Sequence, residues 1–286
     1  MKLLLTGAAG KLGSATYKEL LNAGFDVRAT DAMRRQDSPG KIAVGDLTNR
    51  EFCYNILDDV EVVVHVANLP NQNAGTPQKV FNDNVTMNMN VFQAALESGV
   101  KKIVYASSVQ AASGARTAVS AQQKSDVPYL PLDGEILQNP GNAYALSKCV
   151  GEQQLQYFTR YQKLASAVAL RFPALAHPNW FAHWKNRATP LQVDPYTLLD
   201  EAFTWLSVHD AAMLLVAVVK ADLPGYRVYF PVHPTMRVKV SVREIIEKYF
   251  AGTPLKKPIE QMDSMADISR ITAETGWTPM DNFWKD

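Results

Sequence analysis

The stretch LLLTGAAGKLG, residues 3–13, determines the fold that we expect for this chain. The three leucines and Thr6 predict a short buried strand, and the residues from Lys11 onward predict an amphipathic helix that ends near Ala23. Glycines at the junction permit a tight turn and let backbone N–H groups at the helix start approach an anion such as a pyrophosphate. Their spacing, G-x-x-G-x-x-G, is one residue longer at the start than the standard dinucleotide-binding fingerprint. The residues that we expect to contact a dinucleotide here are Gly7, Gly10, Lys11, Leu12 and Gly13.

Apolar runs alternate with helical patterns through the first half of the chain. The run VEVVVHVAN, residues 60–68, is almost continuously apolar, as is typical of a strand covered on both faces. The other predicted strands cover residues 25–31, 41–47, 101–108 and 165–172, and predicted helices begin near Asn49, span 77–98 and carry Tyr144. A loop is expected from about 110 to 139. This alternation predicts an α/β protein with a doubly wound parallel sheet, the Rossmann fold.

The alternation breaks after Phe172. Prolines and aromatic residues become frequent, and the late strand and helix patterns YRVYFPV and VREIIEKYF are separated by loops. We therefore expect a dinucleotide-binding domain over residues 1–172 and a smaller substrate-binding region over residues 173–286, partly interleaved with the first.

Composition and charge argue against several classes of protein. The 286 residues include 29 basic and 28 acidic side chains, so the formal net charge of +1 gives no attraction to nucleic acid or to an anionic membrane. No apolar run approaches the roughly 20 residues of a membrane span. Cys53 and Cys149 are too few for a disulfide framework, and we expect both to be buried thiols. A cytoplasmic location is the expectation.

Asp31 ends the second predicted strand, where a carboxylate can accept hydrogen bonds from the hydroxyls of an adenosine ribose. The same charge would repel a 2′-phosphate, so NAD is favoured over NADP. Arg34 and Arg35 follow closely and would attract that phosphate. We interpret the two arginines as solvated loop charges, which leaves NADP as the less favoured cofactor.

Tyr144 and Lys148 lie four residues apart on a predicted helix, so their side chains share one face. A phenol has an ordinary pKa of about 10, and a nearby ammonium and a positive nicotinamide ring would both lower that pKa. Tyr144 would then take a proton from a substrate hydroxyl while hydride leaves the same carbon. Lys148 can also hold the nicotinamide ribose, and Ser108 at a strand end can hydrogen-bond the substrate oxygen. The sequence therefore predicts these three residues as catalytic, with Tyr144 and Lys148 also contacting the cofactor.

These motifs resemble the extended short-chain dehydrogenases/reductases, the NAD-dependent epimerase/dehydratase family. TGAAGKLG, Asp31, GDL, HVAN, ASS and YALSK follow in family order over residues 1–152, and the resemblance continues through LRFPALAHP, TWLSVHDAA and TGWTP. It implies that Asp46 and Leu47 flank the adenine. The further cofactor contacts that the resemblance implies are Val66, Ala67, Asn68, Asn84, Ser107, Phe172 and Pro173.

The sequence departs from the family at positions that bear on the reaction. The dehydratases of the family place Asp-Glu after the strand-end hydroxyl residue, whereas Val109 and Gln110 follow here, so dehydration is not expected. The stretch 174–176 lacks the asparagine by which epimerases help to hold a sugar nucleotide, the usual His-Val-Asp-Asp motif is replaced by SVHD, and a late-strand glycine is missing. YALSKCVGE with TWLSVHDAA is also similar to uronate dehydrogenases.

The resemblance implies an NAD-dependent oxidoreductase that acts on a sugar or nucleotide sugar, with sugar 4-epimerisation as one form. One alternative is a uronate-type sugar dehydrogenase, and another is a non-catalytic NAD(P)-binding sensor. Family members dimerise through the helix 77–98 and the tyrosine-bearing helix, so we expect a homodimer. The apolar residues that we note on the first of these helices are Val80, Val85, Phe92 and Ala95.

Three further groups of residues in the second half attract attention. The spacing of His177, His183 and His209 matches no zinc pattern, so no metal site is expected. Two arginines, Arg171 and Arg187, would suit an anionic substrate group, although Arg171 also ends a strand and would serve a structural role there. A third group, Trp180, Phe181 and Trp184, would either stack on a sugar or a base or form a local hydrophobic cluster.

Overall fold

The computed structural model of this protein describes residues 1–35, 40–113, 127–177, 180 and 201–282. The strands in chain order are β1 Lys2–Thr6, β2 Asp26–Asp31, β3 Ile42–Val44, β4 Val62–His65, β5 Lys102–Ser108, β6 Ser166–Phe172, β7 Ala174–Ala176, β8 Trp205–Ser207 and β9 Gly225–Tyr229. Seven of them form one sheet in the order β3-β2-β1-β4-β5-β6-β9, and β7 and β8 form a second sheet. Every pairing is parallel, which confirms the predicted doubly wound Rossmann sheet.

Helices connect these strands. They are α1 Lys11–Asn22, α2 Arg50–Asn55, α3 Pro77–Glu97, α4 Gln110–Ser113, α5 Ala143–Tyr161, α6 Val208–Lys220, α7 Val242–Tyr249 and α8 Ser269–Thr275, with a 3₁₀ turn at Ile259–Gln261. Side-chain oxygens of Asn49, Thr76 and Asn142 cap the starts of α2, α3 and α5. The stretch predicted as a loop from 110 to 139 begins with α4, and its residues 114–126 lie outside the described part.

Apolar side chains cover both faces of the main sheet. Leu3 and Leu5 pack into one core with α1 and α6, while Leu4 between them packs into the other core with α2, α3 and α5. Alternate residues of each strand therefore face different cores, as the continuous apolar runs of the sequence predict. Because both faces are covered, the polar loops that can bind a ligand lie at the carboxyl ends of the strands.

A third apolar cluster gives the smaller region its own core. It draws on residues between Val109 and Ile136, on Ala202 and Phe203, and on residues between Phe230 and Ala266. Between these stretches the chain returns to the main sheet as α6 and the edge strand β9. The predicted boundary after Phe172 stays a prediction. Residues before it contribute to the core of the smaller region, and residues after it contribute to the main sheet and its core.

The apolar residues noted on the helix 77–98 do not form a shared outer face. Phe92 and Ala95 are fully buried in the core that α3 shares with α2 and α5, Val80 is also fully buried, and only Val85 is partly exposed. They are therefore core residues, and the exposed apolar side chains of α3 and α5 are different ones. Cys53 and Cys149 are buried thiols, as expected. Within the described residues, no helix combines the length and apolarity that crossing a bilayer requires.

Candidate active site

The glycine loop joins β1 to α1 at the carboxyl edge of the sheet. Gly7 has a φ of 70°, and a Cβ there would lie 2.6 Å from the backbone nitrogen of Ala67. A Cβ on Gly13 would lie 2.0 Å from the Gly7 carbonyl oxygen, so this position admits only glycine. A Cβ on Gly10 would meet only that oxygen, at 3.2 Å. The space beside Gly10 at the helix start is thus open to a ligand, and the loop fits the pyrophosphate of a dinucleotide.

Asp31 lies at the end of β2, next to this loop. One carboxylate oxygen accepts the backbone N–H of Ala9 at 2.9 Å, and the other lies 3.4 Å from the backbone nitrogen of Met33. The carboxylate is therefore held in place beside the glycine loop. Arg34 and Arg35 are exposed and follow it directly.

The loop after β4 lines the same edge. Thr6 accepts the backbone N–H groups of Val66 and Ala67, both at 3.2 Å, and so ties this loop to the end of β1. Asn68 follows, and its buried Oδ1 has no hydrogen-bond partner among the described residues. A buried amide oxygen without a protein partner is free to accept a hydrogen bond from water or from a ligand. Its place beside the glycine loop fits a cofactor hydroxyl or amide.

Tyr144, Lys148 and Ser108 come together at this edge. Asn142 caps α5, so Tyr144 lies in the first helical turn, and Ser108 is the last residue of β5. Ser108 lies close enough to Tyr144 for its hydroxyl to lower the pKa of the phenol, and all three side chains are at least nine-tenths buried. Lys148 Nζ donates to the carbonyl of Ala106 at 2.6 Å and lies 5.7 Å from the centre of the Tyr144 ring. The predicted trio is thus one cluster.

Burial sets the protonation of this cluster. It raises the pKa of Tyr144 to about 12, which the hydrogen bond from Ser108 opposes and the charge of Glu201 reinforces. It lowers the pKa of Lys148 to about 7, which the charge of Glu152 opposes. The sequence predicts a lowered Tyr144 pKa, and that direction is wrong for the chain alone, because the loss of water around the phenol outweighs its neighbours. Tyr144 therefore needs further positive charge to ionise near neutral pH.

The other implied cofactor contacts fall into two groups. Phe172 and Pro173 are buried where β6 ends, and exposed Asp46 and buried Leu47 follow β3, so these four lie at carboxyl ends of strands. Asn84 is different, because its amide is bonded to both backbone groups of Leu69 and to Ser147. Its side chain bridges α3, the loop after β4 and α5. Contact of these residues with a dinucleotide stays a prediction.

The guanidinium of Arg171 is bound to other groups of the protein. Its guanidinium makes a two-pronged pair with Glu152 at 2.9 and 2.8 Å and donates to the carbonyl of Ile136 at 2.6 Å. Ser107, implied as a cofactor contact, donates to the same Glu152 carboxylate at 2.7 Å, and Gln138 donates to it at 2.9 Å. Arg171, Glu152 and Ser107 are buried, and Gln138 is partly exposed. Arg171 is thus structural, and Arg187 lies outside the described residues.

Two acids near the cluster were missed by reasoning from sequence. Glu152 lies one turn after Lys148 on α5, and this i+4 spacing was a signal that could have identified it. Glu201 is buried, pairs with Arg237 at 3.7 Å and influences the Tyr144 pKa, yet it follows a stretch with no recognisable pattern. Ala202 and Phe203 after it have positive φ, a strained conformation for residues with side chains.

The histidines and tryptophans of the second half take separate places. His209 bonds Asp281, and together with Asp210 these form a group close enough to share an ion. The Asp210 carboxylate already accepts the backbone N–H groups of Met280 and Asp281. We therefore interpret the group as a structural contact that holds the segment around these two residues against α6. His183 lies outside the described residues.

Trp180 lies beside the glycine loop. Lys11 Nζ is 5.4 Å from the centre of its ring, and His177 contacts the ring edge-on. These neighbours place Trp180 next to the expected phosphate site. Phe181 and Trp184, the other aromatic residues of this group, lie outside the described residues.

Comparison with known proteins places this geometry in a family. The model of the NAD dependent epimerase/dehydratase family matches residues 3–229. The chain therefore belongs to the NAD dependent epimerase/dehydratase family, as its motifs predict.

Curated relatives carry several activities. An NAD-dependent glucose-6-phosphate dehydrogenase of Haloferax volcanii is 28% identical over 79% of this chain and 83% of the relative. A UDP-glucose 4-epimerase of Bacillus subtilis is 26% identical over 68% of this chain and 60% of the relative, and a uronate dehydrogenase of Pseudomonas putida is 25% identical over 64% and 66%. Sequence similarity to both epimerases and dehydrogenases leaves the reaction open at this level.

Solved structures share the fold over nearly the whole chain. A UDP-glucose 4-epimerase of Thermotoga maritima with UDP-glucose superposes with a TM-score of 0.70 at 18% identity, over 99% of this chain and 94% of its own. MoeE5 in complex with UDP-glucuronic acid and NAD gives 0.70 at 22% identity, over 99% and 95%. These likenesses establish the architecture.

Proposed function

We propose that this protein is an NAD-dependent oxidoreductase that oxidises an alcohol carbon of a sugar-type substrate. The observation that carries the proposal is that the buried side chains of Tyr144, Ser108 and Lys148 come together at the sheet edge that holds the glycine loop. Burying a phenol, a hydroxyl and an ammonium together costs free energy, and the fold does not need these groups at this edge.

The residues for the cofactor follow from the geometry described above. The start of α1 would hold the pyrophosphate, Asp31 would accept the adenosine ribose hydroxyls, and Asn68 offers a buried oxygen nearer the reacting end. NAD supplies a hydride acceptor and, in its oxidised form, a positive charge at the reacting centre. NAD is favoured over NADP because the Asp31 carboxylate repels a 2′-phosphate.

Proton movement is the task of the catalytic cluster. Ser108 would hydrogen-bond the substrate hydroxyl, and the oxygen of Tyr144 would take its proton as the C–H bond of the same carbon breaks and its electron pair leaves as hydride. Positive charge is needed to bring the raised Tyr144 pKa down, and Lys148 supplies part of it while it stays protonated. The reverse steps return proton and hydride to a ketone.

Oxidation alone and oxidation followed by return of the hydride to the other face use the same residues. A 4-epimerase acting on a nucleotide sugar is supported by the UDP-glucose 4-epimerases among the relatives. A sugar dehydrogenase of uronate type is supported by the TWLSVHDAA similarity and by the dehydrogenases among the relatives. Dehydration is not proposed, because Val109 is buried and Gln110 carries no acid or base.

One experiment separates these reactions. The purified protein is incubated with NAD and a panel of hexoses, hexose phosphates, uronates and nucleotide sugars, and both NADH absorbance and sugar products are followed. A dehydrogenase accumulates NADH in proportion to substrate, and an epimerase produces an isomer without net NADH. Tyr144→Phe should abolish either reaction, whereas Tyr157→Phe, on the exposed side of the same helix, should not.

A non-catalytic NAD(P)-binding sensor is the remaining alternative. It would bind cofactor yet turn over none of the panel, or keep its turnover in Tyr144→Phe. Retention of Tyr144 and Lys148 in one buried cluster counts against it, because sensing needs neither group.

We also propose that the protein forms a homodimer through the outer faces of α3 and α5. The exposed apolar side chains on these helices are Met89, Leu146, Tyr157 and Tyr161. Light scattering should give twice the chain mass, and a monomer mass at micromolar concentration would exclude the dimer.

A further inference from the structure

A chain of buried hydrogen bonds begins at the glycine loop and has a fixed direction. Thr6 Oγ1 accepts the N–H groups of Val66 and Ala67, so its own hydrogen is left for His65 Nδ1 at 2.7 Å. Nδ1 of His65 is therefore an acceptor, and the ring proton lies on Nε2. Burial lowers the pKa of His65 to about 3, so the ring stays neutral over the physiological range.

The chain continues to a tyrosine ring. His65 Nε2 donates to Asn88 Oδ1 at 3.0 Å, which orients the amide so that its Nδ2 donates to the Tyr105 hydroxyl at 3.2 Å. Thr6, His65, Asn88 and Tyr105 are all 0% exposed. Each hydrogen bond fixes the orientation of the next group in the chain. The Tyr105 ring is therefore held in place by a series of bonds that begins at the loops lining the cofactor site.

The ring face of Tyr105 lies beneath the ammonium of Lys148. Nζ is 4.8 Å from the centre of the ring, closer than to the Tyr144 ring at 5.7 Å. The negative face of an aromatic ring attracts a cation, and the attraction is larger where water is excluded, as it is around this lysine. Tyr105 thus offers charge stabilisation that the carbonyl of Ala106 alone does not.

Helix α5 is shaped to rest on this network. A Cβ on Gly151, three residues after Lys148, would lie 2.6 Å from the Tyr105 hydroxyl and 2.7 Å from Asn88 Nδ2. The helix carrying Lys148 therefore contacts the tyrosine ring and its hydrogen-bond partner directly, and glycine is what permits that distance.

We propose that Tyr105 is a positioning residue for Lys148. The face of the Tyr105 ring keeps the Lys148 ammonium charged and in place beside Tyr144. The hydrogen-bond chain from Thr6 fixes that ring relative to the loops of the cofactor site. The importance of a charged Lys148 rests on the proposed function, whereas the contact between ring and ammonium does not.

Other groups also act on this ammonium. Glu152 raises its pKa from the same helix, Arg171 on β6 neutralises much of that carboxylate, and neutral His65 faces it from β4. A test must hold these groups and the burial of Lys148 constant. Fluorination of an aromatic ring meets this requirement, because it weakens the negative face while hardly changing the shape.

The experiment compares Tyr105→Phe with trifluorophenylalanine placed at the same position. The pKa of Lys148 is read from the Cε signal of ¹³C-labelled lysine by NMR, with Lys148→Arg identifying the signal. We expect the phenylalanine protein to titrate like the native one, and the trifluoro protein to titrate about one pH unit lower, a roughly tenfold loss of proton affinity. If the trifluoro protein does not fold, a difluoro ring should give a smaller shift in the same direction.

Equal Lys148 titration in the phenylalanine and fluorinated proteins overturns the inference. The separate measurement of Tyr144→Phe on the sugar panel keeps the two proposals apart. A fluorine-dependent pKa with unchanged Tyr144→Phe turnover would support the role of Tyr105 and overturn the proposed function. A Tyr144-dependent turnover with no fluorine effect would do the reverse.

Discussion

At the scale of single residues, Lys148 combines burial with charge. Burial lowers its pKa from an ordinary value of 10.5 to about 7, so the folded protein holds this proton less tightly than the unfolded chain does. Below about pH 7 both states are protonated and the folded state carries the full cost of a buried cation. Between about pH 7 and 10.5 only the unfolded chain is protonated, so this group's contribution to stability rises with pH.

The first prediction follows from that sign. Lys148→Met should raise the free energy of unfolding at about pH 6, by an amount on the order of a few kcal/mol, and the gain should shrink toward about pH 9. Denaturant titrations at the two pH values measure it. Lys101→Met, at an exposed position, serves as control and should show no such trend. A gain that grows with pH would contradict the lowered pKa.

The second prediction concerns Asp31. Asp31→Ala removes the carboxylate expected to bind the adenosine ribose and frees the N–H of Ala9. We expect NAD affinity to fall at least about tenfold and NADP affinity to fall less or to rise, because the repulsion of a 2′-phosphate disappears. Calorimetric titration with both cofactors gives the ratio. Asp26→Ala, an exposed acid at the other end of β2, should change neither affinity.

Single residues also mark how far sequence reasoning reaches. Tyr144, Lys148 and Ser108 could be chosen in advance, because helix periodicity and strand ends fix where such side chains point. The direction of the Tyr144 pKa could not, because desolvation depends on how completely a side chain is covered, and local spacing does not contain that quantity. Glu201 was missed for the same reason: only tertiary packing brings it near the phenol.

At the scale of elements, the junction of β1 and α1 separates binding from folding. A Cβ at Gly13 would clash with the Gly7 carbonyl, whereas a Cβ at Gly10 would meet only the oxygen of that carbonyl, at 3.2 Å. The third prediction is that Gly13→Ala lowers the free energy of unfolding by at least about 2 kcal/mol. Gly10→Ala should cost less than about 1 kcal/mol and yet weaken NAD binding more than about tenfold, because its methyl group occupies the pyrophosphate space.

Thermal unfolding and NAD titration of both glycine variants check this pair. Equal loss of stability in the two would mean that the loop is not divided in this way. Normal NAD affinity in Gly10→Ala would remove the pyrophosphate from the start of α1.

Elements with strong local patterns were predictable, and the short ones were not. The apolar runs locate the seven strands of the main sheet to within three residues at either end, and the predicted helix 77–98 agrees with α3 to within one residue. The pair β7 and β8 has three residues in each strand, and its partners are separated by an intervening stretch of the chain. Such pairing depends on tertiary contacts, and a window of local sequence cannot reveal it.

At the scale of the whole molecule, the Glu152–Arg171 ion pair connects a strand, a helix and a loop segment. Arg171 belongs to β6, Glu152 to α5, and Ile136 and Gln138 to the segment that enters the smaller region. The fourth prediction is that Arg171→Met destabilises the protein by about 3–5 kcal/mol, because it leaves a buried carboxylate without its partner.

The double variant Arg171→Met with Glu152→Gln tests the cause. It should recover part of the loss, since the uncompensated charge is gone, and urea unfolding of the single and double variants gives the coupling between them. Full additivity of the two substitutions would mean that the loss comes from packing alone.

The smaller region is threaded through the larger one. Its core takes side chains from residues before β6 and after β9, and between them the chain supplies α6 and an edge strand to the dinucleotide-binding sheet. A chimera that exchanged everything beyond Phe172 with a relative would therefore also replace the edge strand β9 and the helix α6, which packs against one face of the sheet. Exchanging the smaller region alone would instead require grafting several separate segments at once, because a single crossover cannot replace it without also replacing part of the main sheet.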